Sequence, residues 1–230
     1  MDRRLIEDRA WDLLADMYRA KEELFPMGVP SPMHMLEPEH AARFLGYEVE
    51  YAQSLGRWSK GDANFEVAGL LDQQRKLIRV STAAKFPYET QRFTLAHEIG
   101  HIVLEHPGHR IHRDRPAFNI ESRSPREPYE QEADYFAACV LAPRRLVTEA
   151  YRKRFGIGPP LPLTDDVAFN LCAESAHALM RAGPESMKFP ATVASTTHFN
   201  GRHFPSLASE FKLSVGAMAI RVREVGLVED

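Results

Sequence analysis

The residues best placed to do chemistry are two histidines and a glutamate in the stretch 94–106, which reads TLAHEIGHIVLEH. Residues four apart share one face of an α-helix, about 6 Å apart along its axis, so His97 and His101 can reach one ion at Zn–N distances of about 2.0–2.1 Å. Glu98 is turned about 100° from His97, so its carboxylate can stand beside the metal without being a ligand. There it can take a proton from a water that zinc has acidified. The pattern predicts metal-assisted hydrolysis with Glu98 as the catalytic base.

The residues around this motif favour a functional site over a chance match. Most of the neighbouring positions are apolar: Phe93, Leu95, Ala96, Ile99, Ile102, Val103 and Leu104. A helix that is apolar nearly all round is buried, and buried imidazoles and carboxylates are costly unless they have partners. A metal ion is such a partner.

Two histidines leave a catalytic zinc site incomplete, because such a site usually has three protein ligands and a water. The metzincin continuation requires glycine at position 104 and histidine at position 107, where the chain has Leu104 and Pro107. That class is excluded, so the third ligand has to come from another element.

The stretch 128–143, PYEQEADYFAACVLAP, supplies a carboxylate for this role. One predicted helical face carries two acids and three small or apolar residues: Glu130, Ala133, Asp134, Ala137 and Leu141. The alanines allow this helix to approach the motif helix closely beside Gly100. We predict Glu130 as the third ligand and Asp134, one turn on, as the acceptor for the free N–H of a ligating histidine. Glu132 lies on another face and is the second choice for the ligand.

Two further groups of side chains near the motifs remain open. One consists of histidines that fit no single site face and are interpreted as part of a polar loop: His106, His109 and His112. The other consists of tyrosines that can each in principle stabilise an oxyanion: Tyr88, Tyr129 and Tyr135. The sequence does not choose between these tyrosines.

The elements that position these residues follow from hydrophobic period and from breaking residues. Helices are predicted at 3–25, 38–45, 87–106 and 128–142, in a segment ending at 154, and at 164–182. Strands are predicted at 47–51, 65–71 and 76–81, the last two joined as a hairpin by the turn 72–75. Residues 107–128 are interpreted as a loop and 184–203 as partly extended. The end, 206–227, is predicted to form two short helices with a break near Leu213–Ser214.

Length and composition set the frame for these elements. The 230 residues suit one large domain or a domain with an appendage, and the formal net charge of −3 argues against a surface that coats nucleic acid. The N-terminus has no apolar segment typical of a signal peptide, no apolar run approaches the roughly 18 residues of a membrane span, and the two cysteines stand in no redox spacing. We expect a cytoplasmic protein without a membrane segment.

The motifs resemble those of the ImmA/IrrE family of bacterial metallopeptidases. RFTLAHEIGHIVLEH followed by EQEADYFAACVLAP is similar to the family's HExxH helix, its later E-x-x-A-[ND]-x-F-A helix and its short aliphatic-Pro ending. The resemblance implies an α+β fold: a zincin-like domain over 1–183 with a small antiparallel or mixed sheet and its core at about 38–154. A helical C-terminal extension with a helix-turn-helix-like unit is expected over 184–230.

The resemblance also implies an activity. His97, His101 and Glu130 would hold Zn²⁺, with Mn²⁺ as the alternative ion, and Glu98 would be the base. The family implies a cytoplasmic protease that cuts a helix-turn-helix repressor and so relieves repression of stress, phage or mobile-element genes.

The sequence leaves two alternatives to this activity. A DNA-binding regulator would use the C-terminal helices, yet from residue 186 onward five positive side chains and four negative ones leave a net charge of only +1, a thin supply for gripping phosphates. A non-catalytic metal-binding regulator would sequester a repressor, but a structural site has no use for an acid beside its first ligand and is usually closed by four protein ligands. Both considerations favour the protease.

Substrate binding is predicted at the segment 76–81, which precedes the motif helix. As an edge strand over the cleft, it would pair with an extended substrate through backbone hydrogen bonds. Proline at Ile78 or Val80 would then abolish cleavage and spare the metal content.

Overall fold

The computed structural model of the chain describes residues 2–28, 31–60, 63–107, 111–114, 127–183 and 186–229. By packing, the chain divides into two compact units, Met1–Leu141 and Ala142–Asp230. The boundary expected at residue 183 separates a catalytic domain from a C-terminal extension. It is a division by function rather than by packing, and it stays a prediction. Among the described residues, no helix has both the length and the apolar composition needed to cross a membrane.

The first unit carries the helices that bear the two motifs. Its described helices are α1 (Arg3–Arg19), α2 (Lys21–Leu24), α3 (Pro32–Met35), α4 (Pro38–Phe44), α5 (Tyr88–Val103) and α6 (Pro128–Leu141). The side chain of Asp2 accepts a hydrogen bond from the Arg4 amide and so begins α1. The helix predicted over 3–25 is interrupted at Ala20, whereas the helices predicted for the two motifs are confirmed to within a few residues.

The described strands of the first unit form a small four-stranded mixed sheet and a separate hairpin. They are β1 (Glu48–Ala52), β2 (Arg57–Lys60), β3 (Ala63–Glu66), β4 (Gly69–Asp72), β5 (Leu77–Ser81) and β6 (Ile111–Asp114). The sheet order is β1-β5-β4-β6, with β1 and β5 parallel and the other two pairings antiparallel. Strands β2 and β3 form a separate antiparallel hairpin. The α+β class and the small mixed sheet predicted from the sequence are confirmed.

Two expectations about this sheet are wrong. Strand β5 lies between β1 and β4, so it is not an edge strand that can take an extended substrate. Strand β6 lies inside the predicted loop 107–128 and pairs with β4, with Gly69 opposite Asp114. Long-range pairing of this kind leaves no local pattern in a polar segment. His109 and the side chain of His112 lie outside the described residues.

The core of the first unit surrounds α5. It contains buried side chains from α1, from β4 and β5, from α5 and from α6: Ile6, Leu13, Met17, Leu71, Ile78, Val80, Leu95, Ile99, Phe136 and Val140. The turn between β4 and β5 is held by the Asp72 carboxylate, which accepts from the amides of Gln74 and Arg75. The hairpin predicted here is therefore confirmed.

The second unit is helical. Its described helices are α7 (Arg144–Phe155), α8 (Asp165–Cys172), a 3-10 turn (Ala173–Ser175), α9 (Ala176–Met180), α10 (Lys188–Ser195), α11 (Leu207–Phe211) and α12 (Val215–Val225), with a two-residue hairpin of β7 (His198–Phe199) and β8 (Arg202–His203). The two helices predicted at the end are confirmed, with the break supplied by Lys212 in the left-handed region. The segment 184–203 is partly extended as expected, in β7 and β8, but it also contains the helix α10, which was not predicted.

Candidate active site

The motif helix α5 is buried along most of its length. All residues from Arg92 to His101 are buried, and both His97 and Glu98 have no exposed surface. This burial is what the nearly continuous apolar sequence predicts. Buried imidazoles need polar partners, and the structure supplies them to His97 and His101 from α6 and from the end of α5 itself.

His97, His101 and Glu130 come together in one cluster. Nε2 of His97 lies 3.0 Å from Nε2 of His101 and 3.3 Å from Oε2 of Glu130, and Nε2 of His101 lies 3.9 Å from Oε1 of Glu130. Two nitrogens bound tetrahedrally to one zinc ion stand about 3.3 Å apart, given Zn–N distances of about 2.0–2.1 Å. The cluster therefore has the donor types and nearly the spacing of a three-ligand metal site.

Close packing of α5 on α6 brings these donors together. A Cβ atom on Gly100 would stand 3.2 Å from the Cα and the carbonyl oxygen of Ala133 and 3.2 Å from Cδ1 of Phe136. No larger residue at position 100 fits without displacing α6. The expectation that small residues let the two helices meet beside Gly100 is confirmed.

Asp134 lies one turn beyond Glu130 and contacts the other side of His97. Its Oδ1 is 2.9 Å from Nδ1 of His97. With the proton on Nδ1 donated to Asp134, the Nε2 of His97 keeps a lone pair that faces the cluster. Asp134 therefore stands where the helical spacing places it.

Glu98 faces strand β4. A Cβ atom on Gly69 would lie 2.5 Å from Oε1 of Glu98 and 2.6 Å from Cγ2 of Thr94. Only glycine allows β4 to pass this close to the carboxylate. The strand thus forms one wall beside Glu98, a role that the sequence did not reveal.

A second set of contacts lies on the far side of His101. Nδ1 of His101 is 2.9 Å from Nδ1 of His106, and Nε2 of His106 is 3.0 Å from Oε2 of Glu132. His106 is buried, so its assignment to a polar loop is wrong. Glu132 contacts His106, whereas the carboxylate grouped with the two motif histidines is that of Glu130.

The backbone at the end of α5 turns His106 back toward the helix. Glu105 has a φ of 53°, its amide donates to the carbonyl of Ile102, and the amide of His106 donates to the carbonyl of His101. These are the two hydrogen bonds of a Schellman helix end. The helix therefore ends before Pro107, at a left-handed residue that is not glycine and so gives no signal in the sequence.

Of the three tyrosines, Tyr129 is the one near the cluster, with its ring centroid 6.1 Å from that of His101. The hydroxyls of Tyr88 and Tyr135 donate to carboxylates of Glu37 and Glu7 instead. Burial, with a hydrogen bond to Glu127, raises the pKa of Tyr129 to about 12. Its phenol therefore keeps its proton at neutral pH and can act as a donor.

A buried ion pair anchors the first half of α5. Nε of Arg92 lies 2.8 Å from Oε2 of Glu37, and both residues are buried. Arg92 also donates to the carbonyl of Leu36 at 3.5 Å. The helix that carries the motif is thus tied to the residues just before α4.

Comparison with known proteins agrees with this site. Residues 62–158 match a peptidase family described as the IrrE N-terminal-like domain. The matched range contains α5 and α6 with all the clustered side chains, and it confirms the resemblance to the ImmA/IrrE metallopeptidases. Comparison with curated proteins gives no match.

Proposed function

We propose that this chain, whose residues 62–158 match the metallopeptidase domain of the ImmA/IrrE type, is a zinc-dependent endopeptidase that makes a specific cut in a cytoplasmic helix-turn-helix repressor. The observation that carries the proposal is that Glu130 of α6 lies together with His97 and His101 of α5. Glu98 is on α5, next to the first of these histidines. We also propose that the sheet and the two motif helices form a zincin-like domain.

The donor set fits a catalytic metal rather than a structural one. Two imidazoles and one carboxylate are three protein ligands, which leaves one position for water, whereas structural zinc usually has four protein ligands. Imidazole donors suit zinc, and Mn²⁺ is the second choice because it prefers oxygen ligands. When bound, the ion supplies a Lewis acid that polarises the peptide carbonyl and lowers the pKa of water.

The chain's own residues supply the proton transfers. Glu98 stands next to His97 in a fully buried stretch, where its carboxylate can accept the proton of the attacking water and return it to the leaving amine. Asp134 keeps the Nδ1 of His97 protonated, so that Nε2 remains a donor for the ion. Strand β4, at Gly69, limits where the Glu98 carboxylate can lie.

The alternative in which the C-terminal helices bind DNA has little support. Arg221 in α12 has no exposed surface, and its Nε donates to the carbonyl of Ala142. Arg223 donates to the carbonyl of Ser186. Two of the few cations in this segment are thus engaged within the second unit, which favours a protein partner over phosphates.

The proposal is tested first by the metal content of the purified protein. Elemental analysis of wild type, Glu130→Gln and Glu132→Gln should give one zinc per chain in wild type and a large loss only in the Glu130 variant. Full retention of zinc by Glu130→Gln would show that Glu130 is not the third ligand.

The activity is then tested by labelling new N-termini in a lysate of the source cells. Wild-type protein loaded with zinc is compared with Glu98→Gln, which should keep its zinc and lose cleavage because only the base is changed. We expect one new N-terminus, in a helix-turn-helix protein, with wild type alone. If neither the wild type nor Glu98→Gln produces a new N-terminus, the result would favour the non-catalytic regulator.

A further inference from the structure

We propose that His106 and Glu132 are positioning residues that hold His101 in the tautomer able to bind the metal, an inference that rests on the proposed function. Asp134 contacts the Nδ1 of His97 directly. For His101 the carboxylate of Glu132 acts indirectly, through the imidazole of His106. Neither His106 nor Glu132 belongs to the three-residue cluster itself.

The contacts form an unbroken line. Oε2 of Glu132 lies 3.0 Å from Nε2 of His106, and Nδ1 of His106 lies 2.9 Å from Nδ1 of His101. The two histidines are buried, and the Glu132 side chain is 17% exposed. Both distances are within the range of N–H···O and N–H···N hydrogen bonds, so each contact requires one proton.

The proton positions follow from chemistry. A neutral imidazole has one N–H donor and one acceptor nitrogen, and a carboxylate only accepts. Glu132 therefore takes the proton on Nε2 of His106, which leaves Nδ1 of His106 as an acceptor. That nitrogen can accept only from a protonated Nδ1 of His101, so Nε2 of His101 carries the lone pair that faces His97 and Glu130.

Local structure explains why His106 can take part. The left-handed residue Glu105 ends α5 and lets the amide of His106 bond back to the carbonyl of His101. The backbone of His106 is thereby fixed one turn from the ring it contacts. Glu132 is presented by α6, whose position against α5 is set by the close approach at Gly100.

The test compares paired variants for zinc affinity and for the geometry of the bound ion. His106→Ala removes the acceptor, whereas His106→Asn places an amide oxygen near the former Nδ1. Glu132→Ala removes the final acceptor, whereas Glu132→Gln keeps an oxygen there. Zinc affinity is measured by competition with a chromogenic chelator, and the visible spectrum is recorded with Co²⁺ at saturation. Urea unfolding of each metal-free variant reports whether it folds.

We expect His106→Ala to weaken zinc binding about 10–100-fold, the usual loss when the hydrogen-bond partner of a ligating histidine is removed. Its Co²⁺ spectrum should shift as well, which a change in packing alone would not cause. His106→Asn and Glu132→Gln should each lose less than their alanine counterparts. If His106→Ala does not fold, Glu132→Ala decides the matter, because it leaves both rings in place.

The outcomes separate this inference from the proposed function. Wild-type zinc affinity and an unchanged Co²⁺ spectrum in folded His106→Ala and Glu132→Ala would overturn the positioning role. His97→Ala serves as the reference for the metal site itself. If His97→Ala also binds zinc like wild type, the metal site and the proposed function fail together.

Discussion

Replacement of Gly69 by alanine tests whether β4 fixes the position of the Glu98 carboxylate. The new Cβ would lie 2.5 Å from Oε1 of Glu98 and 2.6 Å from Cγ2 of Thr94. Normal contact distances for carbon are about 3.5–4.0 Å, so the atoms overlap by roughly 1 Å. Strand β4 cannot easily move away, because Gly69 is paired with Val80 on one side and with Asp114 on the other.

The size of the effect follows from two opposing contributions. Overpacking of a buried site costs about 1–3 kcal/mol, and replacing glycine inside a strand returns about 0.5–1 kcal/mol. The difference lies between about 0 and 2.5 kcal/mol, so we expect Gly69→Ala to lower the free energy of unfolding by about 1 kcal/mol. A displacement of Glu98 by about 1 Å should reduce the cleavage rate about 100-fold. The zinc content should stay the same, since Glu98 is not a ligand.

Urea unfolding measures the stability, and the appearance of new N-termini measures the rate. Gly158→Ala is the matched control, because no atom lies within 4 Å of its added Cβ. Adding Thr94→Ser to Gly69→Ala removes Cγ2 and should restore part of the stability without restoring the rate. Wild-type stability and rate in Gly69→Ala would refute the argument.

Three further substitutions test the packing around the site. Gly100→Ala should weaken zinc binding, measured by chelator competition, because its Cβ pushes α6 away; Gly216→Ala, with open space around its Cβ, should not. Arg92→Met should destabilise the protein by about 3 kcal/mol in urea unfolding, since it removes the cation that pairs with the buried Glu37 carboxylate. Glu37→Gln in the same chain should recover part of that loss. Ile78→Pro should abolish the cooperative unfolding transition itself, rather than cleavage alone, because Ile78 lies in the central strand β5; a folded, zinc-loaded variant would contradict the strand order.

The sequence was sufficient for the parts of the site that depend on helical period. His97 and His101 share a face because they are four residues apart, and Glu130 and Asp134 do so for the same reason. Alanine and glycine at the contact positions indicated that the two helices meet. These inferences need only the geometry of a helix and the requirement that buried polar groups have partners.

The parts that the sequence did not reveal depend on backbone turns and on distant pairing. His106 returns to the site through a left-handed Glu105, and no glycine or asparagine marks that turn. The central place of β5 depends on its parallel pairing with β1, a strand distant in the sequence, and the sheet is extended beyond β4 by β6, a strand in a polar segment without a β pattern. Helix α10 is eight residues long and packs on α12, so tertiary contacts rather than propensity support it.

Because of the left-handed turn at Glu105, the site depends on the number of residues between His101 and His106. One residue inserted or deleted between His101 and His106 would break the two hydrogen bonds of the helix end and remove the second imidazole from its partner. The spacing of the acids on α6 is equally fixed, because Glu130 lies beside Nε2 of both His97 and His101, Glu132 contacts His106, and Asp134 contacts Nδ1 of His97. Other genomes can therefore be searched for this arrangement by spacing, as His-Glu-x-x-His-x-x-x-x-His followed by Glu-x-Glu-x-Asp. Chains that match only the first five positions should lack the contacts from Glu132 through His106 to His101.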